Sequence, residues 1–378
     1  FAKGKKVCWL SFGGWINAII PVLIVPYYSV IGGWVVKYLF EYIRGNGSKL
    51  AEDGYFSGFI SNGGATEICF VIFCMFTLVI IYAGVQNGIE RVSKIMMPIL
   101  IVLSVIIAIY SVTRPGAIEG VKYFLVPNVK NFSWMTVVAA MGQMFYSLSI
   151  AMGILVTFGS YMRKDTSIED STRNVEIFDT AIAMMAGLMI IPAVFAFSGG
   201  DPDTLQAGPS LMFITIPKVF ANMGFGTAVG ILFFVLVLFA AMTSSIALTE
   251  SAVSTFQDEL GWSRKKSTVL MGAVMITLGS LSSLGYGPLA NVTLLGMQFL
   301  DFFDFLTNSV MMPIAAISIC LLVSRVAGIA AIEQEVCHGE ERFRRKRVFA
   351  LMIRYLCPLF AAIILISSVA NAFGLISM

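Results

Sequence analysis

The sequence predicts an all-α polytopic membrane protein. Of its 378 residues, 58% are hydrophobic and only 12% are charged, and the mean hydropathy is +0.86. Soluble domains carry about 25% charged residues, so lipid is the expected solvent for most of this chain. Apolar segments separated by polar loops predict nine membrane-spanning helices, at residues 8–40, 66–84, 95–113, 134–161, 174–198, 225–257, 266–284, 293–324 and 347–376. We interpret them as a single transmembrane domain that covers residues 1–378.

The Lys and Arg residues indicate how these helices are oriented. With the amino end placed inside, the loops on the inner side hold most of the 25 Lys and Arg residues, as the positive-inside rule requires. The basic residues lie in short loops and form no stripe interleaved with aromatic residues, so a nucleic-acid partner is not expected. The lipid bilayer is the expected partner, and the cell membrane is the expected location of this multi-pass protein.

The residue types of common enzyme sites are sparse in this sequence. There is one histidine, His338, in a polar loop, and the six cysteines show no CxxC spacing. Catalysis within a membrane needs a nucleophile, a base or a metal constellation, so we expect no enzyme activity and no organic cofactor. A channel is an alternative, but it would need a continuous polar stripe, whereas the polar residues here form local clusters in a few helices.

Small and hydroxyl residues concentrate within the fourth predicted helix. The segment reads Gly142-Gln-Met-Phe-Tyr-Ser-Leu-Ser-Ile-Ala-Met-Gly153. A helix that is interrupted in the middle of the membrane offers backbone carbonyls to a cation and helix ends to a charged ligand, an arrangement of many secondary transporters. Small residues also serve close helix–helix contacts, and the spacing alone favours neither interpretation.

Hydroxyl side chains lie deep in two other apolar helices. Thr243, Ser244 and Ser245 follow one another in the sixth predicted helix. Hydroxyl oxygens are suited to Na⁺, but such side chains also commonly bond to carbonyls of their own helix. Tyr27 and Tyr28 lie near the middle of the first helix, away from the interfacial belts where tyrosine is usual. That depth favours a role in lining a cavity, because a tyrosine hydroxyl there needs a partner.

Three carboxylates mark further candidate positions. Asp179 lies near the start of an otherwise apolar helix. A carboxylate within the membrane suggests a functional site, although the helix dipole also favours a negative charge at a helix start near the interface. Asp301 and Asp304 share one face of an aromatic-rich helix. They fit a gate that faces an aqueous vestibule, with exposure at the membrane interface as the alternative.

The segments described above recur together as a family pattern. The segments that carry it, in an order and spacing that match along essentially the whole chain, are Tyr27-Tyr28, Gly32-Gly-Trp34, Gly142-Gln143, Ser160-Tyr-Met-Arg-Lys-Asp165, Thr243-Ser-Ser-Ile246, Gln257-Asp-Glu-Leu260, Ser263-Arg-Lys265 and Asp301-Phe-Phe-Asp304. They closely resemble neurotransmitter:sodium symporters of the bacterial, eleven-helix type. The resemblance implies a five-plus-five inverted-repeat transporter fold in which the first helix here is the family's third. The chain would then hold family helices three to eleven, and the family's first two helices have no counterpart in these residues.

The resemblance implies a substrate site for an amino acid. The hydroxyl of Tyr27 would bond to the substrate carboxylate, while Tyr28 and Tyr146 would form an aromatic lid above the bound molecule. The full set of implied substrate-binding residues is Ile24, Tyr27, Tyr28, Tyr146, Ser147, Ser149, Met152, Ser245 and Leu248.

The resemblance also implies two sodium sites and two gates, built from hydroxyl, carboxylate and carbonyl oxygens. The ligands would be Ser147 and Asp179 at sodium site one, and the Ala240 carbonyl with the hydroxyls of Thr243 and Ser244 at sodium site two. The gate residues would be Asp304 on the outer side and Asp258 with Tyr161 on the inner side.

Two departures from the family pattern lead to expectations about the transported species. Chloride-dependent members have a neutral Asn where Asp179 stands, so its fixed charge can replace the anion and chloride independence is expected. Met152 stands where a Phe can occur, and its flexible thioether adapts to large apolar side chains, which favours a hydrophobic or aromatic amino acid. The expected function is sodium-coupled amino-acid symport by alternating access, with Na⁺ as the co-transported ion. An inactive or regulatory truncated protein is the alternative, beside a channel.

Overall fold

The computed structural model describes residues 11–201, 205, 208–338 and 342–374, which form helices joined by loops and, within those ranges, no β-strand. The helices are α1 (Ser11–Ile43), α2 (Gly47–Leu50), α3 (Tyr55–Ser61), α4 (Gly63–Tyr82), α5 (Arg91–Val112), α6 (Ala117–Leu125), α7 (Trp134–Ser147), α8 (Ile154–Ser160), α9 (Ile168–Ser198), α10 (Gly208–Ser210), α11 (Ile216–Ala221), α12 (Gly226–Leu260), α13 (Arg264–Leu284), α14 (Phe299–Asp304), α15 (Met312–Leu321), α16 (Ile329–Val336), α17 (Lys346–Leu351) and α18 (Cys357–Ala372). A 3₁₀ turn lies at Val129–Asn131. Segments of π-helix lie at Val85–Glu90, Leu211–Thr215, Phe305–Met311, Leu322–Ala327 and Met352–Leu356.

The membrane-spanning helices agree with the sequence prediction. In the described part of the chain, eight helices are long and apolar enough to cross a membrane, at Phe12–Ile43, Gly63–Tyr82, Val85–Val112, Ile168–Ser198, Gly226–Leu260, Arg264–Leu284, Phe299–Ala327 and Lys346–Ala372. The remaining predicted span, the fourth at 134–161, is present as the two shorter helices α7 and α8. The all-α polytopic fold class is therefore confirmed. Residues 8–10 of the first predicted helix and 375–376 of the last lie outside the described residues.

Helix α1 lies at the centre of the bundle, where it packs against α4, α12, α13 and α15. Its sequence is apolar on all sides, which is typical of a helix surrounded by other helices. Gly32 and Gly33 allow α4 to approach closely, because a Cβ at these positions would lie 2.5 Å from the Phe73 ring and 2.6 Å from the Phe70 backbone nitrogen. The close approach fixes the rotation of α1, and with it the directions in which its tyrosines point.

An aromatic cluster covers the predicted outer end of α1. Residues 208–225, between α9 and α12, are called the outer loop. Phe56 of α3 stacks on Phe213 of this loop with ring centroids 5.2 Å apart, and Trp34 meets Phe56 edge-on at 5.3 Å. Tyr38 donates a 2.8 Å hydrogen bond to the Phe213 carbonyl. Aromatic pairs of this kind contribute about 0.5–1.5 kcal/mol each beyond their buried area. The outer loop is therefore fixed on the end of the bundle.

Candidate functional site

The fourth predicted span is unwound between α7 and α8. Helix α7 ends at Ser147 and α8 begins at Ile154. Between them, Ser149, Ala151 and Gly153 have positive φ angles of 54°, 60° and 74°. Non-glycine residues seldom adopt this conformation, which costs on the order of 1–3 kcal/mol and is concentrated at functional sites. Of the two interpretations that the sequence left open, the interrupted helix is the one observed.

A cavity of about 460 Å³ opens beside this unwound segment. Its walls come from α1, α5, α7, α12 and the unwound segment with the start of α8, through Tyr28, Met97, Gln143, Tyr146, Ser147, Ser149, Met152, Ile154, Thr243, Ser244, Ala247 and Leu248. A volume in this range suits a small organic molecule. The cavity lies where the resemblance implies a substrate site, and most of its lining is apolar.

Eight of the residues expected at the substrate or ion sites line this cavity, namely Tyr28, Tyr146, Ser147, Ser149, Met152, Thr243, Ser244 and Leu248. The lining residues Met97, Gln143, Ile154 and Ala247 were not on that list. Gln143 carries a usable signal, because it is a polar residue inside an apolar helix. Met97 carries none, since it is one apolar residue among many on α5 and only the packing of that helix brings it to the cavity.

Three expected substrate residues lie elsewhere in the structure. Ile24 is fully buried, and Tyr27 is only 2% exposed. The Tyr27 hydroxyl donates to Asp304 at 3.2 Å rather than facing the cavity. Ser245 is also fully buried, with its hydroxyl 3.1 Å from that of Thr77 on α4.

Helix geometry explains these differences. Successive residues of a helix point about 100° apart, so Tyr28 can line the cavity while Tyr27 packs against a neighbouring helix, and the same holds for Ser244 and Ser245. The rotation of α1 and α12 directs Tyr28 and Ser244 to the cavity. Their sequence neighbours, Tyr27 and Ser245, point into helix contacts instead.

The residues expected at the two sodium sites lie close together in pairs. Ser147, at the end of α7, donates a 2.6 Å hydrogen bond to the carboxylate of Asp179 on α9. Thr243 donates a 2.9 Å hydrogen bond to the carbonyl of Ala240, which is the bond within its own helix that the sequence offered as the alternative to ion binding. Hydroxyl, carboxylate and carbonyl oxygens are hard ligands, which suit a hard cation. Ser147 and Thr243 also line the cavity, so both pairs border it.

Asp304 belongs to a polar cluster at the predicted outer side. One of its carboxylate oxygens accepts hydrogen bonds from the Tyr27 hydroxyl at 3.2 Å and from the Asn308 amide at 2.6 Å. The π-helical segment that contains Asn308 begins directly after Asp304. Segments of π-helix occur frequently at functional sites.

Asp301 lies one turn away from Asp304 and has a separate partner. Tyr286 donates a hydrogen bond of 3.0 Å to the Asp301 carboxylate. Burial, together with the charge of Asp301, raises the pKa of the Tyr286 phenol. The phenol therefore stays protonated and keeps its role as donor.

A buried ion pair lies at the predicted inner side. Glu250 of α12 is fully buried. It accepts two hydrogen bonds from Arg264 of α13, at 2.9 Å and 2.5 Å, in the bidentate geometry that gives such pairs their strength. Arg264 also donates to the Ile81 carbonyl at 2.8 Å. Three helices, α4, α12 and α13, are joined at this point.

Of the two residues expected at the inner gate, Tyr161 bonds to this ion pair. The Tyr161 hydroxyl donates to Glu250 at 2.7 Å, whereas Asp258 is exposed in the last turns of α12. The sequence analysis did not single out Glu250 or Arg264. The available signal was the carboxylate of Glu250 in an apolar part of the sixth span, since charges at such depth are rare and require partners.

The sequence of this chain also matches a known protein family. A model of the sodium:neurotransmitter symporter family matches residues 55–375, which is most of the chain. The chain belongs to this family. It is accordingly a sodium-dependent transporter of the sodium:neurotransmitter symporter family and a multi-pass protein of the cell membrane.

Individual symporter relatives cover nearly all of this chain. An uncharacterized sodium-dependent transporter of Bacillus subtilis, YhdH, is 34% identical over 368 residues, which are 96% of this chain and 80% of the relative. One from Haemophilus influenzae is 30% identical, over 97% of this chain and 81% of its own length. A solved structure of MhsT in complex with L-phenylalanine is 34% identical, with a TM-score of 0.82 over 95% of this chain and 81% of MhsT.

Proposed function

We propose that this symporter carries a hydrophobic or aromatic amino acid into the cell together with Na⁺, without chloride, and that residues 1–378 belong to one transporter domain. The observation that carries the proposal is the cavity beside the unwound segment, because two oxygen-rich residue pairs border it. A cation and a small organic molecule can therefore bind next to each other. That proximity is the requirement for coupling their movements.

The lining of the cavity supports an apolar side chain in the substrate. Met97, Met152, Ile154, Ala247 and Leu248 contribute apolar surface to it. The methionines are flexible and adapt to varied shapes. MhsT, the structural relative, has been solved with L-phenylalanine, and a cavity of about 460 Å³ has room for an amino acid of that size.

The charged ends of the substrate need polar partners, and the unwound segment supplies them. Residues Leu148–Gly153 lie outside regular helix, so their backbone groups are available to a carboxylate or an ammonium. We assign the hydroxyl contact with the carboxylate to Tyr28 rather than to Tyr27. Tyr28 lines the cavity beside the hydroxyl of Ser244, whereas the Tyr27 hydroxyl is engaged by Asp304.

Ser147 and Asp179 form the proposed first sodium site, and Ala240, Thr243 and Ser244 form the second. At the first site the Asp179 carboxylate supplies a full negative charge close to the Ser147 hydroxyl. A permanent charge at this point removes the need for a bound anion. Chloride independence therefore rests on Asp179, and it is lost if that residue becomes neutral.

The proposed mechanism is alternating access. Na⁺ binding favours the outward-facing state, the amino acid binds beside the ions, the outer cluster around Asp304 closes, and the inner cluster around Glu250 opens. Ligands drive this cycle only through their different affinities for the two states. One charge that moves down a membrane potential of about 100 mV supplies about 2.3 kcal/mol, which is roughly 1.7 decades of concentration ratio.

Uptake into proteoliposomes tests this proposal. The product of the complete gene is reconstituted, and uptake of labelled phenylalanine and leucine is measured with and without Na⁺ and chloride. We expect uptake that requires Na⁺ and does not require chloride. An excess of unlabelled aromatic amino acid should compete, whereas aspartate and lysine should not. Sodium-independent uptake, or none for any amino acid in folded protein, would overturn the proposal.

Two variants and a matched control test the ion sites. Asp179→Asn should make uptake depend on chloride. Thr243→Val removes a hydroxyl that donates to the Ala240 carbonyl, and it should abolish sodium-dependent uptake. Thr249→Val removes a buried hydroxyl that donates to the Ser245 carbonyl of the same helix at 2.7 Å, and it should leave uptake unchanged. Equal losses in the two threonine variants would show a general packing defect.

A further inference from the structure

One face of the inner half-helix α8 is hydrogen-bonded to its neighbours at regular intervals. The face is formed by Gly153, Thr157 and Tyr161 at intervals of four residues, with Gly153 directly before α8 and Tyr161 directly after it. We call their three hydrogen bonds the inner polar ladder. Its rungs are Gly153 with Asn17 at 3.0 Å, Thr157 with Ser251 at 3.2 Å, and Tyr161 with Glu250 at 2.7 Å.

The first rung joins α8 to the central helix. Asn17 is only 9% exposed within the apolar helix α1, and its side-chain oxygen accepts the backbone N–H of Gly153. That N–H is at the start of a helix, where backbone donors have no partner within the helix. A buried donor without a partner is unfavourable, so Asn17 satisfies a requirement that the unwinding creates.

Only glycine fits at position 153, where the first rung is formed. Its φ of 74° is unfavourable for other residues. A Cβ at this position would lie 2.5 Å from the Ser251 hydroxyl oxygen and 3.2 Å from the Asn17 carbonyl oxygen. The start of α8 is therefore enclosed by α1 on one side and α12 on the other.

The second rung continues the contact along α8. Thr157, which is 9% exposed, donates to the hydroxyl of Ser251, and its oxygen is also 3.4 Å from that of Ser254. Ser251 is 1% exposed. These hydroxyls are buried between α8 and α12, so separating the two helices breaks the bonds between them and admits water.

We propose that Asn17 is a positioning residue: it fixes the point at which α8 resumes, and the inner polar ladder holds α8 against α1 and α12 in the inward-closed state. This inference rests on the proposed alternating-access function. Helix α8 is the element suited to move, because it is short and follows a segment with three positive φ angles. Its movement away from α1 breaks the first rung, and water then satisfies Gly153.

The ladder therefore sets how much of the protein is inward-closed. Asn17→Leu keeps the branched shape of the side chain but removes the acceptor, so the Gly153 N–H lacks a partner only in the closed state. We expect the ratio of inward-open to inward-closed protein to rise about fivefold, equivalent to about 1 kcal/mol. Because apparent affinity falls with the fraction of competent protein, the external Na⁺ concentration for half-maximal uptake should rise by up to the same factor.

Two measurements on the same protein test this inference. Amide hydrogen exchange of the peptide that contains residues 153–161 is measured in lipid nanodiscs with Na⁺, and the half-saturating Na⁺ concentration is measured by uptake into proteoliposomes. The variants are Asn17→Leu and Thr157→Val. Asn17→Asp keeps an acceptor oxygen and serves as the conservative rescue. Thr249→Val serves as the buried-hydroxyl control on α12.

The expected result is faster exchange, by about fivefold, and a raised half-saturating Na⁺ concentration in Asn17→Leu, because exchange follows the open population. Asn17→Asp and Thr249→Val should remain near the parent protein. A folded Asn17→Leu with parental exchange and parental half-saturation overturns the inference. So does a lower maximal rate at unchanged half-saturation, which indicates a merely structural role.

The outcome separates this inference from the proposed function. If the parent protein shows sodium-dependent uptake and Asn17→Leu behaves like it, only the ladder inference fails. If the parent protein shows no sodium-dependent uptake, the proposed function fails and the ladder inference fails with it. If Asn17→Leu does not fold, Thr157→Val decides by the same criteria, since it removes the second rung while leaving the Gly153 N–H bonded.

Discussion

Removal of Arg264 should destabilise the protein strongly, because it leaves a buried carboxylate with too few donors. Glu250 has no exposed side-chain surface, and Arg264 has 20%. In Arg264→Gln the carboxylate loses both guanidinium hydrogen bonds and keeps the one from Tyr161. The reverse change, Glu250→Gln, leaves the arginine with partial access to water and with its bond to the Ile81 carbonyl.

The two changes therefore differ in magnitude. Breaking a buried ion pair by removing one partner costs about 3–5 kcal/mol. The 20% exposure of Arg264 places Arg264→Gln at the lower end of that range, at about 3 kcal/mol. We expect about 1–2 kcal/mol for Glu250→Gln, the usual range for one unsatisfied group with some access to water. The double variant should be no worse than Arg264→Gln alone, because it leaves no buried charge.

Thermal unfolding of the four proteins in one lipid composition measures this cycle. A loss of about 3 kcal/mol lowers the midpoint by about 6 °C, at roughly 2 °C per kcal/mol for a large domain. Additive losses in the double variant would refute this account, since residues in one network should show a coupling free energy of at least about 1 kcal/mol. An Arg264→Lys variant serves as a control for charge without bidentate geometry and should recover only part of the loss.

Three further predictions concern other parts of the molecule. Tyr28→Phe should raise the half-saturating amino-acid concentration about tenfold or more, from the loss of about 1.5–3 kcal/mol in a hydrogen bond to a charged group, whereas Tyr27→Phe should change uptake less. Saturation curves for uptake compare the two, and a larger effect of Tyr27→Phe would contradict the assignment. Gly153→Ala should lower the thermal unfolding midpoint, because the existing φ is unfavourable for alanine and the new Cβ would clash with the neighbouring helix. An unchanged midpoint would contradict the structure of the unwound segment. The hydrogen bond and charge of Lys218 hold the pKa of Asp53 below its usual range. The ion pair between Lys218 and Asp53 is therefore fully formed above pH of about 4 and is lost as the pH falls through the lowered pKa. Amide exchange of the outer loop, measured against pH, reports this contact. Asp53→Asn should remove the contact at every pH. An acid-dependent loss of protection that persists in Asp53→Asn would refute the role of this carboxylate.

The spans were predictable because lipid imposes a simple rule on sequence. A segment that crosses the membrane must be long, apolar and hydrogen-bonded within itself, and these properties are local. The possible interruption in the segment 142–153 was also local, since glycine and hydroxyl residues concentrate there. The residues that adopt positive φ were not predictable. Ser149 and Ala151 are held in that conformation by the surrounding helices rather than by their own preference.

The candidate site was predictable as a set of segments but not as a set of contacts. The sequence indicates both Tyr27 and Tyr28 as candidates, and only the rotation of α1 determines which of them lines the cavity. That rotation depends on the approach of α4 to Gly32 and Gly33, a contact between distant parts of the chain.

The inner side was predicted less well for a related reason. Asp258 belongs to a recognisable segment and is exposed, whereas Tyr161 bonds to Glu250, a residue that the sequence did not single out. Arg264 lies in the same recognisable region, where it reads as one of several basic residues of an inner loop. Its partner could be identified only when the packing of α12 against α13 was known, because the two residues lie on different helices and the sequence does not show which faces of those helices meet.

The arrangement of hydroxyls explains how ions and substrate could be coupled without direct contact between most of their ligands. Ser147 lines the cavity and also bonds to Asp179, so a change at this carboxylate is transmitted to the cavity wall through one side chain. Thr243 and Ser244 both line the cavity, and the Thr243 hydroxyl also donates to the Ala240 carbonyl. A ligand affects a conformational equilibrium only through its different interactions with the two states. Because each proposed ion site shares at least one hydroxyl residue with the cavity, a movement that opens the cavity must also disturb both ion sites, and this shared dependence is the physical basis that coupled transport requires.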